Sequence, residues 1–473
     1  MTKRDTEYQP LLEGITETKQ KIKCPNTSLL LAICAACIGG TFQYGYNISI
    51  INSPTKSVQN FINQTWLERY EENISEQYLT LLWSSIVSIF TIGGFIGATI
   101  GGTLAIRFGR KGTLMMNNAF ALLAALLMGL SYPTGLFELL IIGRFFTGVN
   151  AGIGICVQPL YLGEIAPRAL RGAMAMGTSI FITGGILTGQ VIGLNELLGK
   201  EEYWPILLST TCIPAFLQLL ILPWFPESPR YLLIDRGDDV GCGTAMKQLH
   251  GTDNFDRERE DMERERISAM GIKPKKPWEL FMDRSLRWQF SITLSLVLSL
   301  LKIYFYTDYV FEEAGIPEVN IPYVTVGTGA CECLTALTCV SVNYCSEYRY
   351  FISKYLEACM EYIAYCHATP CGVTNILITE LFTQTTRPAA YMIGGSVNWL
   401  SFFFIGMAFP FIVYCFLVFL VVCVLVAVYI FLVVPETKNK TFLEIQTEFQ
   451  SGEKRKASKA DHSPRTTMLS TPL

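Results

Sequence analysis

Long uncharged runs alternate with short charged stretches along most of the chain. The runs at 29–51, 79–106, 112–137, 172–195 and 203–226 each approach or exceed 20 residues, about the length a helix needs to cross the hydrocarbon of a bilayer. Each predicts a membrane-spanning helix, and residues 388–435 are long enough for two. Between the runs, residues 227–287 are rich in Lys and Arg, and at 253–266 acids and bases alternate over several helical turns, a pattern that predicts a solvated helix. The second half is less regular. Trp288 opens a run of only 14 uncharged residues before Lys302, and the run at 319–346 contains Glu332. Between Cys345 and Cys366 stand Glu347, Arg349, Lys354, Glu357 and Glu361, so this piece fails as a lipid-facing span. It either lies at the interface or crosses while shielded by neighbours.

Composition places the chain in a membrane. Half of its 473 residues are hydrophobic, 16% are charged and the mean hydropathy is +0.33, which few soluble enzymes of this length would show. A net charge of -3 gives no reason to expect nucleic acid as a partner. The 15 cysteines sit largely inside apolar runs, so Cys331 and Cys333 read as small apolar side chains rather than metal ligands or a disulfide framework. The first 28 residues are polar and charged, unlike a cleaved signal peptide. No phosphate loop, metal cluster or nucleophile constellation appears, so the sequence implies no catalytic residue, no metal and no cofactor.

Orientation follows from the basic residues. The N-terminal tail (Lys3, Arg4, Lys19, Lys21, Lys23), the middle segment and the C-terminal tail (Lys438, Lys440, Lys454, Arg455, Lys456, Lys459) are all expected in the cytosol. The loop after the first run is poor in basic residues and holds the sequons Asn63-Gln64-Thr65 and Asn73-Ile74-Ser75, consistent with glycosylation outside. Six spans bring the chain back inside by Glu227. Gly93, Gly94, Gly97, Gly101 and Gly102, and again Gly184, Gly185, Gly189 and Gly193, have the spacing that lets helix backbones approach closely.

The charges that end the runs repeat. Glu164 and Arg171 are matched by Glu380 and Arg387 at an offset of 216, and Pro226-Glu227-Ser228 by Pro435-Glu436-Thr437 at 209. Two hydrophobic halves with the same charged punctuation suggest a transporter built from repeats, with its substrate site between them near mid-membrane. Together with Gly109-Arg110-Lys111, residues 159–172 and Pro226-Glu227-Ser228-Pro229-Arg230, these motifs resemble those of the facilitative sugar transporters of the major facilitator superfamily. Residues 39–47, 226–235 and 379–382 look most like the class II, fructose-transporter branch.

The resemblance implies an all-α polytopic membrane protein of two six-helix bundles, a cytosolic helical domain between them, and alternating access. The expected divisions are a cytosolic tail at 1–28, the first bundle at 29–226, the linker domain at 227–285, an incomplete second bundle at 286–435 and a cytosolic tail at 436–473. Carried over by position, Gln190, Asn398 and Trp399 are expected to hydrogen-bond or stack on the sugar, which suits hexose hydroxyls and a ring face. For Gln190 alone, a bond to a neighbouring helix is an equally good reading. Tyr304 and Tyr306 fall where the family has its outer gate. Glu164, Arg168 and Arg171, with Glu380 and Arg387, fall where it has cytosolic gating ion pairs.

Departures lie in the second half. The family's seventh membrane helix offers two glutamines and an asparagine where this chain has Ser295, Leu296 and Leu301, with Lys302 beside them; Asn375 replaces a tryptophan. Residues 339–380 are about 30 short of what a ninth helix and its connections need. Three readings remain open on sequence: facilitative transport of a hexose such as fructose or glucose, weakened by these losses; proton-coupled symport; and a non-transporting membrane sensor or regulator. Asn47 stands where proton-coupled relatives carry an aspartate, which leaves Glu332 and Lys302 to support symport. The expected address is the plasma membrane, with endosomal or lysosomal membranes as the alternative. The stretch 7–12, with Glu7, Leu11 and Leu12, fits the acidic dileucine pattern read by endocytic adaptors.

Overall fold

A computed structural model describes residues 26–167, 171–251, 256–269, 276–282, 315–345 and 381–408, with scattered positions between 286 and 312, at 378 and from 421 to 428. At some helix ends, among them 171–176 and 338–345, only the backbone is described. All regular elements in these residues are helical.

The first half forms six long helices and one shorter one. The long ones are α1 (Thr27–Ser49), α3 (Glu76–Phe108), α4 (Arg110–Thr134), α5 (Phe137–Ile165), α6 (Arg171–Ile192) and α7 (Trp204–Trp224). Between α1 and α3, α2 (Thr55–Tyr70) buries Val58, Phe61, Ile62 and Thr65 along one face, where Phe61 meets Tyr132 and Trp204. Five of the long helices match the uncharged runs. The sixth, α5, is interrupted in sequence by Glu138, Arg144 and Glu164, yet it is the most enclosed, with 72% of its most apolar window buried. Arg144 and Glu164 are buried against protein and Glu138, exposed at the helix start, pairs with Arg69, so a criterion built on lipid exposure misses this helix.

The glycines sort onto two faces of α3. A Cβ on Gly97 would lie 2.3 Å from the Val149 carbonyl oxygen, and one on Gly152 would lie 2.2 Å from that of Gly94, so α3 and α5 are in backbone contact. The other face meets the second half: a Cβ on Gly94 would overlap the Trp399 ring and one on Gly102 would overlap Met392. Gly185 similarly brings α6 against α1. Small residues are what permit such contacts where lipid gives no hydrophobic drive to helix association.

Beyond α7 a π-helical turn, Tyr231–Arg236, leads into α8 (Asp239–His250), α9 (Asp256–Ala269) and the short α10 (Pro277–Met282). Leu233, Cys242, Met246 and Met262 give this linker a small core of its own. The alternating run does form a helix, α9, but not a wholly solvated one, because Glu265 is only 4% exposed. In the second half α11 (Ile321–Cys345) packs on α6, and α12 (Arg387–Ala408) packs on α3 and α5. These two seams join the halves.

Candidate functional site

At the linker end of the bundles the chain turns sharply from α3 to α4 at Gly109, whose φ of 84° suits glycine. A Cβ there would collide with the Glu227 carboxylate. That carboxylate accepts the backbone N–H groups of Arg110 (3.0 Å) and Lys111 (3.0 Å) at the start of α4, and that of Ser228 (2.9 Å). An anion on the positive end of a helix, satisfying its unpaired N–H groups, stabilises both. Gly109-Arg110-Lys111 and Pro226-Glu227-Ser228 are therefore two halves of one joint.

Arg110, fully buried, is the hub above that joint. Its Nη2 donates to Glu164 Oε1 and its Nε lies 2.9 Å from Glu164 Oε2, while Nη1 donates to Asp235 Oδ2, each at 2.9 Å. The Tyr231 ring covers the guanidinium at 4.7 Å. Ser228 Oγ donates to the free side of Glu164 Oε2 at 2.5 Å. The second half enters through the start of α12: Arg387 Nη1 donates to Gln384 Oε1 (2.8 Å) and lies 3.9 Å from Glu164 Oε1. Its Nη2 is 3.9 Å from Glu265 Oε1, and Glu265 also pairs with Arg230. Gln384 donates its backbone N–H to Glu265 and its side-chain amide to Asp235, both at 3.3 Å. First half, linker and second half thus share one cluster. Burial pushes the Asp235 carboxyl above the usual aspartate range; Arg110 pulls it back, and the nearby Glu164 adds to the rise.

The expected pairings are only partly within view. Glu164 is bonded to Arg110 and lies near Arg387 from the other repeat, so the repeats meet across the halves. Arg168 and Glu380 lie outside the described residues, as does the side chain of Arg171. Asp235, Glu265 and Gln384 join the cluster without having been singled out by sequence. Glu265 is hidden inside the alternating run, and Gln384 carries no local signal.

Within the membrane region, Gln190 on α6 faces Gly329 on α11, where a Cβ would come 2.0 Å from its Oε1. That oxygen is buried and has no hydrogen-bond partner. Asn398 is half-buried on α12. Trp399 is fully buried, edge-on to Tyr44 and Phe90 of the first half and to Phe402, and its Nε1 is also unpartnered. In this conformation its ring seals the α3–α12 seam. No hydrogen bond or ring contact joins Gln190 to Asn398 or Trp399 among the described residues. Nearby, the buried Arg144 on α5 donates to the Asn47 carbonyl oxygen at 3.2 Å and sits 4.6 Å over the Phe90 ring. The Asn47 amide itself has no partner. Glu332 is half-buried on the face of α11 that carries Gly329.

Asn63 on α2 and Asn73 just before α3 are both exposed. Tyr304, Tyr306, Ser295, Leu296, Leu301, Lys302, Asn375, residues 346–366, and Glu7, Leu11 and Leu12 lie outside the described residues. Among the described residues no group of side chains could hold a metal ion, and Cys331 and Cys333 are free.

Comparison with known proteins agrees over most of the chain. The model of the "Sugar (and other) transporter" family matches residues 31–349 and 355–449. Human solute carrier family 2, facilitated glucose transporter member 11 is 44% identical over 458 residues, covering 89% of this chain and 92% of that protein. Mouse member 5 is 43% identical over 459 residues with the same coverage. Among solved structures, the major facilitator superfamily proton:xylose symporter XylE bound to 6-bromo-6-deoxy-D-glucose superposes with a TM-score of 0.74 at 19% identity, over 89% of this chain and 99% of that one. The chain is a membrane protein of the sugar transporter family, on the major facilitator fold.

Proposed function

We propose that this protein carries a hexose such as fructose or glucose across the plasma membrane by facilitative alternating access, and that it is not an enzyme. The observation that supports this best is the shared cluster in which Arg387 and Gln384 of the second half meet Glu164, Asp235 and Glu265. It closes the linker end of the bundles with hydrogen-bonded charges, and such contacts can exchange between two states separated by a few kcal/mol. The basic-residue bias makes that end cytosolic, so this conformation is closed to the cytosol. Arg168, Arg171 and Glu380 belong to the same gate in this reading, and Tyr304 and Tyr306 to the outer one. Gln190, with its free buried acceptor, together with Asn398 and Trp399, supplies the sugar contacts. Trp399 becomes available only when the α3–α12 seam loosens.

Uniport is favoured over symport by Asn47. Its backbone carbonyl accepts from the buried Arg144, its side chain is buried without a partner, and an amide cannot take up and release a proton at physiological pH. Initial rates of labelled fructose and glucose uptake into proteoliposomes, with and without an imposed proton gradient, test the reading. Saturable uptake indifferent to the gradient is expected. Gradient-driven accumulation would favour symport through Glu332, and no uptake by folded protein would favour a sensor or regulator.

A further inference from the structure

Where the linker returns toward the membrane, α10 presents an apolar face that the protein leaves uncovered. Leu280 anchors the helix: it is 1% exposed, belongs to the main core, and α10 packs on α12. Trp278 and Met282, one helical turn apart and therefore on one face, are 57% and 78% exposed. Lys276 Nζ lies 5.0 Å from the centroid of the Trp278 ring. The nearest acid in sequence, Glu279, is turned back to accept the Lys276 backbone N–H at 3.0 Å. Its charge is spent on the helix start instead of on the lysine. The surrounding sequence is basic, with Lys273, Lys275, Lys276, Arg284 and Arg287 against Glu279 and Asp283. At the end of α7 Trp224 is likewise exposed, and indoles at span ends mark the headgroup level.

We infer that this face binds the anionic phospholipid headgroups of the leaflet on the linker side. Lys276 meets the phosphate, while Trp278 and Met282 sit among the glycerol and first acyl carbons. A rigid indole beside a lysine suits that boundary, where one end of a contact is apolar and the other wet. Anionic lipid is the occupant because the local charge is positive and because two side chains offer far less area than the roughly 1,000 Å² a specific protein interface needs. Through the packing of α10 on α12, and through Glu265 of α9 bonded to Gln384, a bound lipid would steady the linker against the second bundle.

The test is photolabelling of the full chain in phosphatidylcholine nanodiscs doped with a photoactivatable phosphatidylserine or, separately, a photoactivatable phosphatidylcholine, with adducts mapped by peptide mass spectrometry. Residues 276–282 should be labelled several-fold more by the serine lipid. Each basic residue near a charged membrane contributes about fivefold in binding, so Lys276→Gln should reduce that preference by about that factor, and Trp278→Ala should lower labelling by both lipids. In the unmodified protein the preference should also shrink as salt rises from about 0.1 to about 0.5 M, because screening shortens the reach of charge. This arm needs no variant to fold. Equal labelling by the two lipids, absence of labelling, or a preference insensitive to salt would each overturn the inference.

Discussion

Glu164 shows how far single residues can be read from sequence. Its repeat partner and its place at a run end are visible in the spacing, which marks it as a charge that the fold must accommodate. Which guanidinium neutralises it is not visible, because Arg110 is 54 residues away and Arg387 is 223. Only the packing of α3, α4, α5 and α12 brings them together. Two outcomes follow. Glu164→Gln leaves Arg110 buried without its main counter-charge, and breaking a buried pair from one side costs about 3–5 kcal/mol; loss of folded protein by size-exclusion chromatography is the expected reading. Arg387→Gln removes the second-half charge that lies 3.9 Å from Glu164 and from Glu265, each of which keeps a closer arginine. It should leave the fold intact and raise the labelling of a linker-side cysteine by a membrane-impermeant reagent. Unchanged labelling would mean that these charges only anchor helix ends. Asp235 adds a dependence on pH. Its pKa is raised in the closed cluster, so the closed state binds a proton more tightly than a state with Asp235 in water. Acidifying the cytosolic side should favour closure, and this gain is lost as pH rises through the raised value. Asp235→Asn should flatten the pH dependence of the same labelling.

At the level of elements, five of the six long helices of the first half were legible as uncharged runs. The sixth, α5, was not, because a largely enclosed helix can carry a buried Arg144 where a lipid-facing one cannot. The α3 glycines were legible as close-packing residues but not as two faces with different duties. Substitution separates them. Gly97→Val meets the α5 backbone within the first bundle and should prevent folding. Gly102→Val meets Met392 and the Pro388 carbonyl oxygen across the seam, so it should spare the bundle and push α12 outward. Overpacking of this kind costs about 1–3 kcal/mol, enough to shift a two-state equilibrium about fivefold or more toward cytosolic opening, read by the same cysteine accessibility. Orientation is tested between α1 and α3: replacing Asn63 and Asn73 together by Gln should abolish the glycosidase-sensitive mass. A C-terminal epitope labelled on intact cells would mean an odd number of crossings, with residues 345–366 failing to span.

For the whole molecule, the family was legible from motifs in register, and the fold followed from it. The proposed substrate site draws on several different helices, and many of its second-half positions lie outside the described residues. On the proposed placement of the site, Ser295, Leu296 and Leu301 stand in place of three amides and would forgo about three hydrogen bonds to the sugar. At roughly 0.5–1.5 kcal/mol each, affinity should fall by about one to three orders of magnitude. Ser295→Gln, Leu296→Gln and Leu301→Asn, with Lys302→Leu, should recover part of this in a fructose binding titration. The most direct measurement is counterflow: the unmodified chain in proteoliposomes loaded with unlabelled fructose and diluted into a trace of labelled fructose. A carrier that exposes one site alternately to each side will draw label transiently above its equilibrium level, weakly in this chain and without regard to a proton gradient. Folded, reconstituted protein that never overshoots, with fructose or with glucose, would contradict the account.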